Sequence, residues 1–501
     1  MAMKSNRWFL TCASAVLIVV GFSSRTHSQT PPLNGVWVYT LVNGSQLTED
    51  CPICDRITLP VPMRGTFQLR FLGEGPFFAN YAVENISFTA GLPGGQSYKV
   101  TGHGTYRIGG EIAVQQDLSL EATIDNGSTN TLCEFTNATP ITSRHWPMFK
   151  AEVDQTNGTL VQQYRLEISA APFREIWFST VTNFQAGIWS APTNAISGGD
   201  LLSSSGRVIK RNAELTGRLG IQPPVPDLGL KDMDVLPDGE MAFSIEQSVF
   251  SETIGLLSFQ DLLSDRGRVI RYGNPGLIGN FQPGPPLPEF VGLEAVQMMD
   301  DGQVFFSVRN EFGSKKLGIT LRPGDLLSDE GTVVRTAEQL LSQFNPINPT
   351  NDSGLKSVFV WPTREIWFST RDGFYDSNGV FFASGDLLSD QGYVVYSNAE
   401  LLSVFAPAGN STNVGLDALF VVSDLTPEST APSLSVPQLT NQPAASIALQ
   451  RSKGGRVFQL EAATNLGGPF VPIMPITTDR VFIDTGALTN ETQRFYRLHQ
   501  W

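Results

Sequence analysis

The stretch Glu365-Ile-Trp-Phe-Ser369, followed by Asp386-Leu-Leu-Ser389 and then Gly392-Tyr-Val-Val395, decides the fold, because its pattern recurs to give four copies. The Asp-Leu-Leu-Ser element stands at Asp200–Ser203, Asp261–Ser264, Asp325–Ser328 and Asp386–Ser389, at intervals of 61, 64 and 61 residues. Each copy runs into a turn at Gly206, Gly267, Gly331 or Gly392 and then a β-branched pair such as Val208-Ile209. Ahead of each copy lies an apolar element ending in Ser179, Ser244, Ser307 or Ser369, which reads as a strand. Behind it come a short helical stretch and a Gly-Leu element at Gly229, Gly292, Gly354 and Gly415, opening a further strand. Asn398–Phe405 and Ala337–Phe344 read as two-turn helices, with Asn398 as N-cap. The copy with Gly276 and Gly279 reads as irregular.

A unit of about four short strands buries little alone and needs neighbours. Radial packing into a four-repeat β-propeller over 174–424 is the expected answer, with repeats at about 174–239, 240–302, 303–364 and 365–424. An open stack is the competing arrangement. The order of pieces favours closure: the strand around 416–422 is left over at the end and is expected to pair with 175–180.

Texture changes on both sides. Residues 31–172 alternate apolar and polar positions, as in Trp37-Val-Tyr and Leu118–Ile124, and read as an antiparallel β-sandwich or barrel. Residues 425–435 read as a linker and 436–501 as a third, smaller β-module. The expectation is an all-β chain. Residues 1–29 carry Lys4 and Arg7 ahead of an apolar run and read as a signal peptide, so the protein is expected to be secreted or held at the cell surface, with no membrane span in the mature chain. The net charge of −14 gives no basic stripe for nucleic acid.

Three cysteines follow the leader. Cys51, Cys54 and Cys133 are disulfide candidates, an odd number that leaves one thiol over. Zinc ligation with His103 or His145 and a redox Cys-x-x-Cys site are the alternatives; the extended Ile57–Pro62 stretch argues against the helix that a redox motif needs. His103 reads as part of a turn.

Histidine is absent from the repeats, which removes Ser-His-Asp chemistry there. No catalytic or metal-binding residue is assigned. The recurring Asp200, Asp261, Asp325 and Asp386 read as turn carboxylates that cap backbone N–H groups. Calcium in the Asp-Leu-Leu-Ser-Asp turns is the one cofactor to consider, although an EF-hand ligand series is missing. After each Gly-Leu comes a charge of alternating sign: Lys231, Glu294, Lys356, Asp417. Around a four-fold axis these four form a salt-bridged ring or a polar ligand site; lying apart, they are solvent-facing charges. Trp189 and Trp361 are the aromatics best placed to meet a ligand, since Trp177 and Trp367 share an equivalent, core-like position.

Two resemblances follow from these residues. The four-copy region is similar to hemopexin-like propellers in blade number only. Phe458–Asn465, Phe470-Val-Pro-Ile and Phe495–Leu498 resemble the terminal fibronectin-like β-sandwich of large exported bacterial proteins, which implies an extracellular address and no catalytic residue. The function expected is a non-catalytic binding or scaffold protein presenting the propeller surface to an extracellular ligand, carbohydrate or protein. The alternatives are a carbohydrate-active enzyme with a carboxylate pair among Asp232, Asp234, Glu294 and Asp417, and a structural surface or adhesion component.

Overall fold

The first nine strands explain why alternation alone did not settle sandwich against barrel. In a computed structural model of the chain, residues 35–501 are described apart from 55–56, 93, 112, 138, 143, 145, 191–192, 224, 285–290, 349–351, 409–412, 426–433, 436–437, 441–445, 452–454 and 486–492. The signal-peptide reading, His145 and most of the linker lie outside them. The strands are β1 (Val36–Leu41), β2 (Gln46–Asp50), β3 (Val61–Glu74), β4 (Phe78–Gly91), β5 (Ser97–Gly109), β6 (Gln115–Asp125), β7 (Asn130–Asn137), β8 (Phe149–Gln155) and β9 (Gln163–Ala171). From β3 to β9 each pairs antiparallel with the next. β1 and β2 run on from one another across a turn at Asn43-Gly44, and both pair with β3 on one side and β9 on the other. The sheet therefore closes into a barrel, the arrangement that removes free edges altogether.

The barrel is filled. Trp37, Tyr39, Phe67, Tyr81, Phe88, Tyr106 and Phe149 are buried inside, and the Tyr39 hydroxyl donates to the Pro147 carbonyl at 2.9 Å. His103 is not in a turn. It is exposed in the middle of β5, and a Cβ at flanking Gly102 or Gly104 would lie about 2.2 Å or 2.1 Å from carbonyl oxygens of β6, so only glycine permits that close pairing.

The repeats form four four-stranded sheets. From the inside outward, the first holds Leu419–Ser423, Phe173–Phe178, Leu201–Ser203 and Arg207–Lys210. The second holds Met233–Val235, Met241–Phe243, Leu262–Ser264 and Arg268–Arg271. The third holds Leu293–Met298, Val304–Val308, Leu326–Ser328 and Thr332–Arg335; the fourth Leu355–Val360, Ile366–Thr370, Leu387–Ser389 and Tyr393–Tyr396. The four inner strands touch one another in cyclic order and so surround a common axis. Closure comes from the last strand: Leu419, Phe420, Val421 and Val422 pair with Phe178, Trp177, Ile176 and Glu175. Each sequence repeat thus begins on the second strand of one sheet and ends on the inner strand of the next.

The recurring residues hold this ring together. Asp200, Asp261, Asp325 and Asp386 each accept two backbone N–H groups, one three residues back and one twelve residues on. The second of these is the first N–H of the helical stretch. Glu175, Glu240 and Glu365 accept from Ser203, Ser264 and Ser389, and in the third sheet Gln303 donates to Ser328. Ser179, Ser307 and Ser369 donate to the carbonyls of Leu230, Leu355 and Leu416, tying the first, third and fourth sheets to the next, whereas the equivalent Ser244 hydroxyl of the second sheet has no partner among the described residues. Gly206, Gly267, Gly331 and Gly392 all have φ between 77° and 84°, which glycine adopts at no steric cost.

The helices are Asn212–Thr216, Ala337–Leu341 and Asn398–Ser403. Asn398 is the first helical residue and not the N-cap; Ser397 and Thr336 hold the cap positions, each in a capping box. Asn398 instead bridges the Gly385 carbonyl and the Val414 N–H. The glycine-bearing copy is a π-type turn and a 3-10 turn, Gly273–Leu277 and Gly279–Phe281.

The third module consists of two three-stranded sheets around Leu449, Phe458, Leu460 and Phe482. Asp424 joins all three parts: it accepts the Val38 N–H of the barrel at 2.8 Å, the Trp501 indole N–H at 2.7 Å and Arg174 at 2.9 Å. No helix among the described residues is long and apolar enough to cross a membrane.

Candidate functional site

The inner strands leave one edge unpaired, and those edges face the ring axis. Their N–H groups require acceptors there. Three layers of side chains, read from equivalent positions of the four strands, supply or fill that space.

The first layer is Lys231, Glu294, Lys356 and Asp417, brought together and buried. Lys356 Nζ lies 3.0 Å from Glu294 Oε2 and 2.9 Å from Asp417 Oδ1; Lys231 Nζ lies 3.8 Å and 3.9 Å from the same two carboxylates and 3.3 Å from Glu246. Two positive and two negative charges alternate and cancel. Burial alone lowers the Lys356 pKa, but Asp417 and Glu294 outweigh it and raise it above the usual lysine value. Burial lifts the Asp417 carboxyl, and Lys356 and Lys231 pull it back. The solvent-facing arrangement of these four charges is not what the fold produces.

The second layer has one polar anchor. Asp232 sits at the axis opposite Ala295, Ser357 and Ala418. Its two oxygens accept the N–H of Met233 (2.7 Å), Val296 (2.7 Å), Val358 (3.2 Å) and Leu419 (2.9 Å), one from each inner strand at the same position. Small residues in the other three strands leave room for this single carboxylate. Burial pushes its pKa well above the usual range, and the four N–H donors pull it back.

The third layer is Asp234, Gln297, Phe359 and Phe420, and here the axis opens. A cavity of about 200 Å³ is lined by these four together with Trp361 and Arg456, the last reaching in from the third module. Asp234 accepts the N–H of Val235 and Met298, both at 2.8 Å. Burial raises its carboxyl to about 6, against the opposing pull of Arg456 3.7 Å away. The Gln297 side chain takes the Val360 N–H at 2.6 Å. Arg456 donates to the Val235 carbonyl and to Asp300 at 2.6 Å at the rim. One half of the cavity wall is polar, from the second and third sheets. The other half is aromatic, from the fourth and first.

Trp361 borders this cavity, but not in the way that sugar stacking needs. It is 1% exposed, with Trp367 4.8 Å and Phe359 5.2 Å from its ring, and its indole N–H has no hydrogen-bond partner among the described residues. Trp189 lies away from the axis, half-buried and edge-on to Phe405 at 5.8 Å. Glu294 and Asp417 are committed to lysines and Asp232 to backbone, so of the four axial acids only Asp234 faces a cavity.

Cys51 and Cys54 form a disulfide, which removes them as zinc ligands; Cys133 is a buried thiol on β7, its pKa raised to about 11 by burial. Among the described residues no group of three His, Cys, Asp or Glu side chains is arranged to hold a metal ion. Besides the backbone bonds of the first aspartates in the Asp-Leu-Leu-Ser-Asp turns, Asp265, Asp329 and Asp390 also accept backbone N–H groups, from Met241, Val304 and Ile366.

Sequence reasoning grouped the four residues of the first layer and named Asp232 and Asp234 among the axial acids, without the partners that make up the other two layers. The signal for the second was available as the one aspartate among alanine, serine and alanine at a repeated position. The third needed the arginine of a separate module.

No family model and no curated protein matches this chain. Among solved structures, it is similar to an extracellular domain assigned to a hybrid two component system of B. thetaiotaomicron, at 9% identity and TM-score 0.20, over 88% of this chain and 74% of that one. A second such domain from the same organism gives 7% identity and TM-score 0.18, over 88% and 82%. Scores this low carry no argument about what this chain does.

Proposed function

We propose that this is an exported binding protein whose four-sheet propeller takes a small ligand at the end of its axis, in the cavity that Arg456 borders. The observation that carries the reading is the third layer. Two polar side chains face two aromatic ones around a cavity of about 200 Å³, in a ring whose other axial layers are solidly paired. Concave, mostly apolar pockets with a few convergent polar groups are where small molecules bind, and junctions between domains are a preferred place for them. The filled barrel serves as a scaffold, bound to the ring through Arg144 and Glu365 (3.1 Å) and through Asp424.

The test is a thermal-shift screen with neutral, cationic and anionic fragments and with short oligosaccharides. A ligand of the folded state raises the melting point by mass action. Val360 lines the cavity half-buried, so Val360→Phe fills it without touching a charged layer. Fragments that shift the wild type and not Val360→Phe support the reading. Shifts that are the same in both variants, or none at all, overturn it.

A further inference from the structure

Resting on that reading of the cavity, we infer that its ligand is a small organic cation, a primary amine carried on an aromatic or branched aliphatic body. The argument begins with charge. Three charged side chains border the cavity: Asp234 at its inner end, Arg456 and Asp300 at its mouth. Arg456 is bound to Asp300 at 2.6 Å and to the Val235 carbonyl, whereas its distance to Asp234 is 3.7 Å, beyond a hydrogen bond. The arginine's hydrogen bonds go to the rim aspartate and the Val235 carbonyl, and the inner aspartate keeps two backbone N–H bonds with Arg456 beside it but outside hydrogen-bond distance. The three charged side chains sum to one net negative charge.

The opposite wall is aromatic. Phe359 and Phe420 are 6.5 Å apart and edge to face, and the Phe359 ring also meets Trp361. Aromatic faces attract cations, and more strongly when the site is desolvated. A carboxylate on one side and aromatic rings on the other select a group that is positively charged and an organic body that is not. Carboxylic acids are disfavoured, since their charge would meet Asp234. Sugars are disfavoured as well, because Trp361, the indole on which they would stack, is buried. Size sets the last limit: a cavity of about 200 Å³ suits a single ring or short branched chain with one amine.

The experiment is calorimetric titration of the full chain with benzylamine, benzyl alcohol and benzoate, which share one ring and differ in charge. Benzylamine is expected to bind at least about tenfold more tightly than benzyl alcohol, and benzoate to give no binding heat. Asp234→Asn, nearly isosteric, is expected to remove that preference, bringing benzylamine and benzyl alcohol to within about twofold of one another. Val360→Phe is expected to abolish both. Melting curves establish that each variant folds. Equal or tighter binding of benzyl alcohol or benzoate overturns the amine inference and leaves the cavity as a binding site. Benzylamine binding that survives Val360→Phe overturns the cavity reading itself. No heat from any of the three overturns the amine inference, and the fragment screen then decides the cavity reading separately.

Discussion

Replacing Asp232 with alanine removes the one acceptor shared by all four inner strands. The site tolerates the smaller side chain sterically, since Ala295 and Ala418 occupy the equivalent positions. What is lost is the partner of four buried N–H groups, those of Met233, Val296, Val358 and Leu419. An unsatisfied buried donor costs about 1–3 kcal/mol. Four of them at the low end of that range come to roughly 4 kcal/mol, from which relief of a buried charge subtracts, leaving about 3 kcal/mol. For a ring of some 250 residues, each kcal/mol corresponds to roughly 2–4 °C in melting point, so a fall of about 6–12 °C is expected. Asp232→Asn keeps one oxygen for two of the donors and is expected to fall about half as far. Scanning calorimetry on the two variants and the wild type reads this directly. A drop below about 2 °C for the alanine variant would refute the assignment of Asp232 as the common anchor.

The charged layer behaves differently, because there the partners are side chains. Lys356→Met leaves Asp417 with the longer contact to Lys231, and Glu294 with longer contacts to Lys231 and Arg309, and is expected to destabilise by about 3–5 kcal/mol. The double variant Lys356→Met/Asp417→Leu is expected to recover most of that in the same melting assay, and no recovery would contradict the pairing. Asp234 gives a pH signature. Its folded-state pKa of about 6 exceeds the ordinary value of 3.8, so its charge is a penalty above pH 6 that is relieved as pH falls towards 4, by roughly 3 kcal/mol. The groups facing it are Arg456, which lowers the shift, and Asp300, which raises it. Relative to Asp234→Asn, the wild type is therefore expected to gain stability between pH 7 and pH 4.5; a relative loss would show that the sign is wrong. Cys133, buried with its pKa raised to about 11, is expected to resist a thiol reagent at pH 8 in the native chain and to react once the chain is unfolded.

Repetition made the ring legible. A residue that recurs at one position in four copies has the same neighbours four times, so Asp200 and its counterparts were readable as turn caps, and the unpaired strand at 416–422 announced the latch. The charged layer was readable for the same reason. Other features followed from contacts that do not repeat. Whether 31–172 closes depends on β2 pairing with β9 across more than a hundred residues, and alternation is the same in a sandwich and in a barrel. His103 looked like a turn because its glycines serve a close strand approach instead. Asn398 looked like a cap because the serine before it has the same chemistry. The cavity lay furthest from reach, since it forms where Asp234, Gln297, Phe359 and Phe420 differ from one another and where Arg456 of another module meets them.

A crystal structure of the full chain soaked with benzylamine tests the central claim most directly. The account predicts electron density for one molecule at the end of the ring axis, its ring against Phe359 and Phe420 and its nitrogen within hydrogen-bond distance of Asp234. An unoccupied cavity at saturating ligand, or density only elsewhere on the surface, would contradict it.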